Sequence, residues 1–132
     1  MNSSSLKAIV TKSAPAPVGP YSQAVLANGW LYCSGQIPLH PSSGRLVGEG
    51  DVEKQTRQVL SNLKAVLSAA GGSTSQVVRT TIYLVDLKDF GKVNAIYSET
   101  FEEEPSPARA CIQVAALPKD ARIEIDCVAW LG

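Results

Sequence analysis

The chain has 132 residues, of which 45% are hydrophobic and 18% are charged, and its 12 Lys and Arg residues balance its 12 Asp and Glu residues. Such a length is typical of a single domain, which we place over residues 1–132, and it allows a core that needs no disulfide or metal ion. The balanced charge argues against nucleic-acid binding, and no apolar run approaches the ~20 residues of a membrane span.

Three cysteines and one histidine constrain metal and redox chemistry. Cys33, Cys111 and Cys127 are widely spaced in apolar runs, and the absence of a C-x-x-C motif argues against a Cys/His zinc site. We expect small buried thiols in a reducing compartment. The N-terminal segment lacks a signal-peptide core. The cytoplasm is therefore the default location, and a trimmed organellar form is the alternative.

The first half of the chain predicts three strands. Residues 6–11 (LKAIVT) form a short strand candidate, and the prolines of the following KSAPAPVGP remove backbone donors and predict a loop. Two apolar runs in YSQAVLANGWLYCSGQIPL meet at Asn28-Gly29. This pair is preferred in two-residue hairpin turns, because both residues tolerate a positive φ.

The second half predicts two helices and three strands. Apolar residues recur at 3- and 4-residue steps over residues 51–70, which predicts a helix with Asp51 as its N-cap. The β-branched and aromatic run QVVRTTIYLVD predicts a strand, and LKDFGKVNAIYSETF carries a second helical stripe. Two further strands follow the break EEEPSP.

The predicted order of elements is β-β-β-α-β-α-β-β. It indicates an α+β architecture, in which a mixed β-sheet carries two helices on one face. The other face of the sheet then has no partner within the chain. We therefore expect the protein to self-associate through that face.

The last two predicted strands each contain a charged residue near their start, Arg109 and Glu124. Side chains alternate between the faces of a strand. If the two runs form a hairpin with their apolar faces aligned, Arg109 shares a face with Glu124 and Asp126. Direct or diagonal neighbours would lie within ~5–8 Å. The register stays open, because Arg109 can oppose Glu124, Asp126 or Val128.

The pair Arg109 and Glu124 has two interpretations. A cross-strand salt bridge on a hydrated face would contribute about 0–1 kcal/mol. In an anion site, the planar guanidinium would bind a carboxylate or phosphate through two hydrogen bonds, and the carboxylate would orient a water or move a proton. The alternation pattern alone favours the salt bridge.

Four segments carry a resemblance to a known family: GPYSQA at 19–24, SGQIP at 34–38, VNAIY at 93–97 and PARACIQVAALPKDARIEI at 107–125. In this order and spacing they resemble the Rid family, the reactive intermediate deaminases, also called the YjgF family. The resemblance covers about residues 7–131. It is closest to the RidA branch, because the Arg and Glu of that branch's signature are both present.

The resemblance implies a chorismate-mutase-like fold assembled as a homotrimer, with intersubunit active sites. It also implies hydrolysis of reactive 2-enamine and 2-imino acids, such as 2-iminobutanoate and 2-iminopropanoate, to 2-oxo acids and ammonia. Pyridoxal-phosphate dehydratases release such substrates and would be functional partners. An imine hydrolyses in water unaided, so orientation and modest charge stabilisation suffice. We expect no metal and no organic cofactor.

Matching the family motifs assigns roles to individual residues. Arg109 would hold the substrate carboxylate, helped by the backbone N–H of Gly35. Glu124 would orient or activate the water that adds to the imine carbon, assisted by the backbone carbonyl of Cys111, whose thiol need not be a nucleophile. The other residues implied in substrate binding are Tyr21, Ser34 and Asn94.

Other functions compete with deamination. A trimeric regulatory protein would bind a 2-oxo acid or an amino acid through the same Arg109, without turnover. Ribonuclease or translation-inhibitor activity has been proposed for members of this family, but the balanced charge and the lack of a basic stripe argue against it. A chorismate mutase is suggested by fold analogy alone, and fold does not fix function.

Overall fold

The computed structural model describes residues 5–132, so residues 1–4 of the predicted domain lie outside it. It contains a six-stranded sheet and two α-helices. The strands are β1 Leu6–Ile9, β2 Ala24–Ala27, β3 Trp30–Gln36, β4 Val77–Leu84, β5 Ala108–Gln113 and β6 Ile123–Trp130. The helices are α1 Val52–Ala69 and α2 Phe90–Thr100. The predicted order of elements and the α+β class are confirmed.

Local sequence explains where the elements begin and end. Asn28 and Gly29 have φ angles of 52° and 86°, as the predicted turn between β2 and β3 requires. Asp51 caps α1, because its carboxylate accepts a hydrogen bond from the Lys54 N–H at 3.1 Å. Gly71, with a φ of 84°, follows the C-terminus of α1 in the left-handed conformation that ends many helices.

The strand order β1-β2-β3-β6-β4-β5 separates the last two strands. β6 pairs antiparallel with both β3 and β4, whereas β5 pairs parallel with β4. The predicted hairpin of β5 and β6 is therefore wrong. The reason is the crossover: α2 connects β4 to a parallel β5 at the sheet edge, and this leaves the position on the other side of β4 to β6.

The sheet register places Arg109 and Glu124 on opposite faces. Thr80 of β4 is level with Arg109, and it is fully buried against the helices. Tyr83 of β4 is level with Glu124, and it lies an odd number of residues from Thr80, on the other face. The prediction that Arg109 and Glu124 share a face is wrong for a single chain, because it depended on direct pairing of β5 with β6.

The helices cover one face of the sheet, which we call the helix side. Helix α1 packs against β3, β6 and α2. The largest fully buried apolar side chains of this core are Leu31, Val59, Val66, Leu67, Ile82, Leu84, Val93, Ile123 and Ile125. None of the helices within residues 5–132 has the length and apolar character needed to cross a membrane.

The opposite face, which we call the open side, carries exposed apolar side chains. The largest of these are Leu6, Trp30, Tyr32, Ile112 and Trp130, between 40% and 59% exposed. The rings of Trp30 and Trp130 pack together with centroids 4.8 Å apart. An exposed apolar surface spread over several strands is typical of an interaction face. Self-association through the open side stays a prediction.

Candidate active site

Arg109 lies on the edge strand β5 and rests against one face of α2. Its Nη1 donates a hydrogen bond to Oδ1 of Asn94 at 2.7 Å. Its Cζ lies 5.4 Å from the ring centroid of Phe90 and 4.9 Å from that of Tyr97. These three residues of α2 are four and three positions apart, so they form one stripe of the helix. The stripe holds a solvent-exposed guanidinium on the helix side.

A residue of the sheet holds the Tyr97 side chain in place. Its hydroxyl lies 2.7 Å from Oγ1 of the buried Thr80, the β4 residue that is level with Arg109. Burial raises the pKa of Tyr97, although the hydrogen bond to Thr80 and the charge of Arg109 act in the opposite direction. The ring is therefore a neutral, anchored surface for the cation.

Cys111 follows Arg109 on the helix side of β5 and is partly exposed. Burial raises the pKa of its thiol, and the charge of Arg109 only partly opposes this. A thiol that stays protonated is a poor nucleophile. This environment supports a role for Cys111 other than covalent catalysis.

Glu124 lies on the open side of β6 and packs against the backbone of β3. A Cβ atom built on Gly35 would overlap the Glu124 carboxylate, so this contact requires glycine. Gly35 belongs to the stretch between Cys33 and Gln36 where the β3–β6 register shifts. Such an irregularity bends the strand and changes the direction in which the neighbouring side chains point. Here it lets the β3 backbone approach the carboxylate.

The loop before β2 completes the surroundings of Gly35. The Ser34 hydroxyl donates to the carbonyl of Ser22 at 2.6 Å. Tyr21, the preceding residue, is half-exposed, and its hydroxyl accepts a hydrogen bond from the Val18 N–H at 3.2 Å. The segments GPYSQA and SGQIP, which are separated by nine residues in the sequence, are thus adjacent in the structure.

Two neighbours on the open side set the electrostatics of Glu124. Burial raises the pKa of its carboxyl, and the charge of Asp126 raises it further. Asp126 accepts a hydrogen bond at 2.9 Å from the hydroxyl of Tyr83, which stands across from Glu124 in the β4–β6 pairing. A carboxyl with a raised pKa suits proton transfer near neutral pH.

The predicted site residues thus fall into two groups on opposite faces of the sheet. The helix-side group contains Arg109, Asn94 and Cys111. The open-side group contains Glu124 and the adjoining Gly35, with Ser34 next to Gly35 in β3 and Tyr21 next to Ser22, which accepts the Ser34 hydrogen bond. The predicted help of Gly35 to Arg109 is not possible within one chain, since the sheet lies between them.

Four residues of these surroundings were not predicted as site residues: Phe90, Tyr97, Tyr83 and Asp126. Phe90 and Tyr97 were predicted as part of a helical stripe, and Tyr97 also ends the segment VNAIY, but neither was given a role in the site. Their spacing from Asn94 was the available signal, since residues three and four apart share a helix face. Tyr83 could not be assigned, because its contact with Asp126 depends on the strand pairing.

A surface cavity formed by the described residues lies away from both groups. This cavity of about 510 Å³ is lined by the 75–78 and 105–107 segments together with Trp130, Leu131 and Gly132, and it contains neither Arg109 nor Glu124. Within the described part of the chain, no group of three or more His, Cys, Asp or Glu side chains could hold a metal ion.

The sequence of the chain is similar to those of known proteins over nearly its whole length. The family model called endoribonuclease L-PSP matches residues 11–131. A RutC family protein of Synechocystis sp. is 56% identical over 126 residues, which cover 96% of this chain and 97% of that protein. The 2-iminobutanoate/2-iminopropanoate deaminase of Rattus norvegicus is 51% identical over 132 residues, which cover 100% of this chain and 95% of that protein.

Solved structures agree with the fold. The Rid family protein YyfA of Yersinia pestis superposes with a TM-score of 0.92 at 49% identity, covering 95% of this chain and 98% of that one. TdcF of E. coli, solved with bound serine, superposes with a TM-score of 0.89 at 40% identity, covering 96% of this chain and 99% of that one.

Proposed function

Because the chain belongs to the endoribonuclease L-PSP family, which includes the Rid proteins, we propose that it is a deaminase of reactive 2-imino acids. It hydrolyses substrates such as 2-iminobutanoate and 2-iminopropanoate to 2-oxo acids and ammonia. The observation that carries the proposal is the guanidinium of Arg109, which is exposed and has no carboxylate partner within residues 5–132. The name of the half-identical rat relative supports the same reaction.

Arg109 binds the substrate carboxylate. With Nη1 engaged by Asn94, the Nε and Nη2 donors have no acceptor in the described chain. These two N–H groups form one edge of the planar guanidinium and match the two oxygens of a carboxylate. Binding by this edge fixes the position of the imine carbon, which is attached to the carboxylate.

Glu124 acts as the general base and general acid of the reaction. The substrate reacts as its protonated iminium form. The Glu124 carboxylate accepts a proton from the water that adds to the C=N carbon, so the nitrogen becomes a neutral amine. Glu124 then returns that proton to the nitrogen, and it takes up the hydroxyl proton as the C–N bond breaks, so ammonia leaves and the C–O bond becomes a carbonyl. The last proton passes from Glu124 to solvent or to the released ammonia. The raised pKa of Glu124 favours both steps, since the same group must accept and donate.

The site is shared between copies of the chain. Arg109 and Glu124 lie on opposite faces of one sheet, so a substrate that touches both must lie between the helix side of one copy and the open side of another. The exposed apolar side chains of the open side provide a surface for such contact. We propose a homotrimer, in which cyclic contacts give each copy one site with each neighbour.

The proposed reaction also suggests which enzymes supply the substrate and in which compartment the protein acts. Reactive imino acids are released by pyridoxal-phosphate dehydratases, which we propose as functional partners. The cytoplasm is the proposed compartment, because Cys33, Cys111 and Cys127 are all free thiols. RNA cleavage is not proposed, since the 12 basic and 12 acidic residues give no net attraction for a polyanion.

A second candidate is a protein that binds small amino acids or 2-oxo acids without turnover. The observation in its favour is the serine bound to the related TdcF. The same Arg109 would hold the ligand carboxylate, and Glu124 would only form hydrogen bonds. Ligand binding alone does not separate the two candidates, so the test must measure turnover.

The test couples a threonine dehydratase to the protein and follows loss of the imine together with formation of 2-oxobutanoate. We expect the protein to speed hydrolysis beyond the buffer rate. Arg109→Ala should remove the gain, and Arg109→Lys should restore little of it, because an ammonium cannot reproduce the two parallel hydrogen bonds. The matched control is Arg57→Ala, which removes an exposed arginine paired with Glu99 at 3.5 Å and should leave the rate unchanged.

Glu124→Gln separates the two candidates. The deaminase predicts that this variant binds 2-oxobutanoate but no longer speeds imine loss. Unchanged turnover in Glu124→Gln would remove Glu124 from the mechanism. A wild-type protein that binds 2-oxobutanoate without accelerating hydrolysis would favour the binding protein instead.

A further inference from the structure

Arg109 is held by aromatic faces rather than by acids. Two arginines of the described chain have carboxylate partners: Arg122 lies 2.9 Å from Asp89, and Arg57 lies 3.5 Å from Glu99. Arg109 instead has the rings of Phe90 and Tyr97 and the amide of Asn94. We propose that Phe90 and Tyr97 are positioning residues, which hold the Arg109 guanidinium between them and leave its Nε and Nη2 edge free for the substrate carboxylate.

The spacing of the two rings fits this arrangement. Phe90 and Tyr97 are seven residues apart on α2, which corresponds to two turns and roughly 10.5 Å along the helix axis. The Cζ of Arg109 lies 5.4 Å from one centroid and 4.9 Å from the other. The guanidinium therefore lies between the rings, above Asn94, which occupies the turn that separates them.

Aromatic faces suit this task for a chemical reason. A ring attracts a cation through its electron-rich face and uses none of the N–H donors in doing so. A carboxylate in the same place would occupy those donors and would compete with the substrate carboxylate for them. Asn94 takes one donor, and it thereby fixes the rotation of the guanidinium plane without adding a negative charge.

The two rings differ in how firmly they are held. Tyr97 is buried, its hydroxyl is bonded to Thr80 at 2.7 Å, and its ring packs on Phe101 at 4.6 Å. Phe90 is 37% exposed at the first position of α2. The Tyr97 ring is thus held in place by its packing, whereas the more exposed Phe90 ring can be substituted with little risk to folding.

The inference rests on the proposed role of Arg109 in binding carboxylates, and its test begins with Phe90. Phe90→Leu keeps an apolar side chain and removes the π face. We expect the KM for 2-iminobutanoate and the Kd of the product 2-oxobutanoate each to rise about 3- to 10-fold, with kcat within about 2-fold. Phe90→Trp restores a face for the cation and should recover most of the affinity.

The matched control is Phe101→Leu. This ring packs on Tyr97, and within residues 5–132 the rings that face the Arg109 guanidinium are those of Phe90 and Tyr97; Phe101 is 8% exposed. A residue that only supports the fold should lower Tm without changing ligand affinity. We therefore expect Phe101→Leu to lower Tm more than Phe90→Leu does, while the Kd of 2-oxobutanoate changes less than about 2-fold.

A spectroscopic measurement makes the test independent of turnover. In the ligand-free protein, the Arg109 Nε–H resonance should be ordered and shifted by the ring currents of both aromatics. Phe90→Leu should increase its motion and reduce the shift. If the wild-type protein fails to hydrolyse imines but this signature holds, the proposed function fails and the positioning role stands. If Phe90→Leu leaves the resonance, the KM and the Kd unchanged, the positioning role is overturned.

Discussion

The helix side and the open side of the sheet hold their charged residues in different ways. On the helix side, the long side chain of Arg109 reaches out of the edge strand and rests on exposed and buried rings. On the open side, the side chain of Glu124 is half-buried, and its carboxylate occupies the space beside the Gly35 backbone where a Cβ atom would lie. One face presents a solvent-accessible cation, and the other presents a carboxyl whose pKa is raised by burial.

Under the proposed function, this difference would make a single chain incomplete as a catalyst. A guanidinium that binds a substrate must keep its donors available, so exposure suits it. A carboxyl that exchanges protons gains from burial, which raises its pKa toward neutrality. Arg109 and Glu124 lie on separate surfaces of one chain, so the proposed site requires a second copy to bring them together.

The strongest test of this comparison mixes two inactive variants. Arg109→Ala lacks the helix-side group and Glu124→Gln lacks the proton carrier of the open side. If each site takes Arg109 from one copy and Glu124 from another, co-refolding equal amounts should restore up to about one quarter of wild-type activity, the share of interfaces that combine two intact groups. The measurement is the coupled imine assay on the purified mixture.

Two further measurements control the mixing experiment. The variants carry different affinity tags, so that mixed assemblies are isolated and their content is verified before the assay. Mixing Arg109→Ala with a second Arg109→Ala preparation should restore nothing. Mixed assemblies that contain both variants and yet stay inactive would contradict a shared site.

The next largest effect concerns the contact between Gly35 and Glu124. Gly35→Ala places a methyl group where the carboxylate lies. The overlapping atoms belong to the flexible end of the Glu124 side chain, so we expect loss of most activity as the carboxylate is displaced, while the unfolding free energy falls by about 1 kcal/mol or less. Denaturant unfolding and the imine assay measure the two effects.

Gly91→Ala is the matched control for Gly35→Ala. Gly91 lies within α2, and a Cβ there would meet nothing within 4 Å. Alanine should raise the unfolding free energy by about 0.5–1 kcal/mol, because glycine is a poor helix former. If Gly35→Ala is as stable and as active as wild type, Glu124 does not depend on this close approach.

Much of the fold could be predicted from the sequence, because its signals are local. The periodicity of residues 51–70, the Asp51 cap and the Asn28-Gly29 turn each depend on neighbouring residues, and each is confirmed. The pairing of the last two strands was predicted wrongly. Adjacency in sequence favours a hairpin, but the β4–α2–β5 crossover decides which strand becomes the neighbour of β4.

The candidate site could be predicted residue by residue but not in its arrangement. The motifs that contain Arg109 and Glu124 identify both groups, while their separation by the sheet follows only from the register through Thr80 and Tyr83. The ring pair around Arg109 was missed because Phe90 and Tyr97 also fit a purely structural stripe. The spacing of aromatic residues in one sequence does not distinguish a ring that packs in the core from a ring that contacts a cation.

A smaller effect should follow from changing Asp126. The folded protein binds the Glu124 proton more tightly than the unfolded chain does, because burial and then Asp126 raise its pKa. The contribution of Glu124 to stability is therefore present at low pH and is lost as the pH rises from the unfolded pKa through the folded pKa. Asp126→Asn removes one cause and should shift this loss, and the Glu124 titration seen by carboxyl NMR, to lower pH.

The control for this pH dependence is Glu124→Gln. It removes the titrating group, so the corresponding fall of stability with rising pH should disappear. A Glu124 titration that does not move in Asp126→Asn would show that burial alone sets its pKa. The comparison of the two faces would then depend on packing against β3 rather than on the second carboxylate.

The smallest predicted effect is that of Tyr83→Phe, which removes the 2.9 Å hydrogen bond to Asp126 and keeps the ring. The unfolding free energy should fall by about 0.5–1.5 kcal/mol, the usual net contribution of one such bond. Tyr32→Phe is the matched control, since the hydroxyl of this exposed open-side tyrosine has no hydrogen-bond partner within residues 5–132, and it should change stability by less than about 0.5 kcal/mol. Tyr83→Phe keeps the Asp126 carboxyl group, so the Glu124 titration should move less than in Asp126→Asn. An equal or larger shift would mean that Tyr83 acts on Glu124 directly, across the β4–β6 pairing, and not through Asp126.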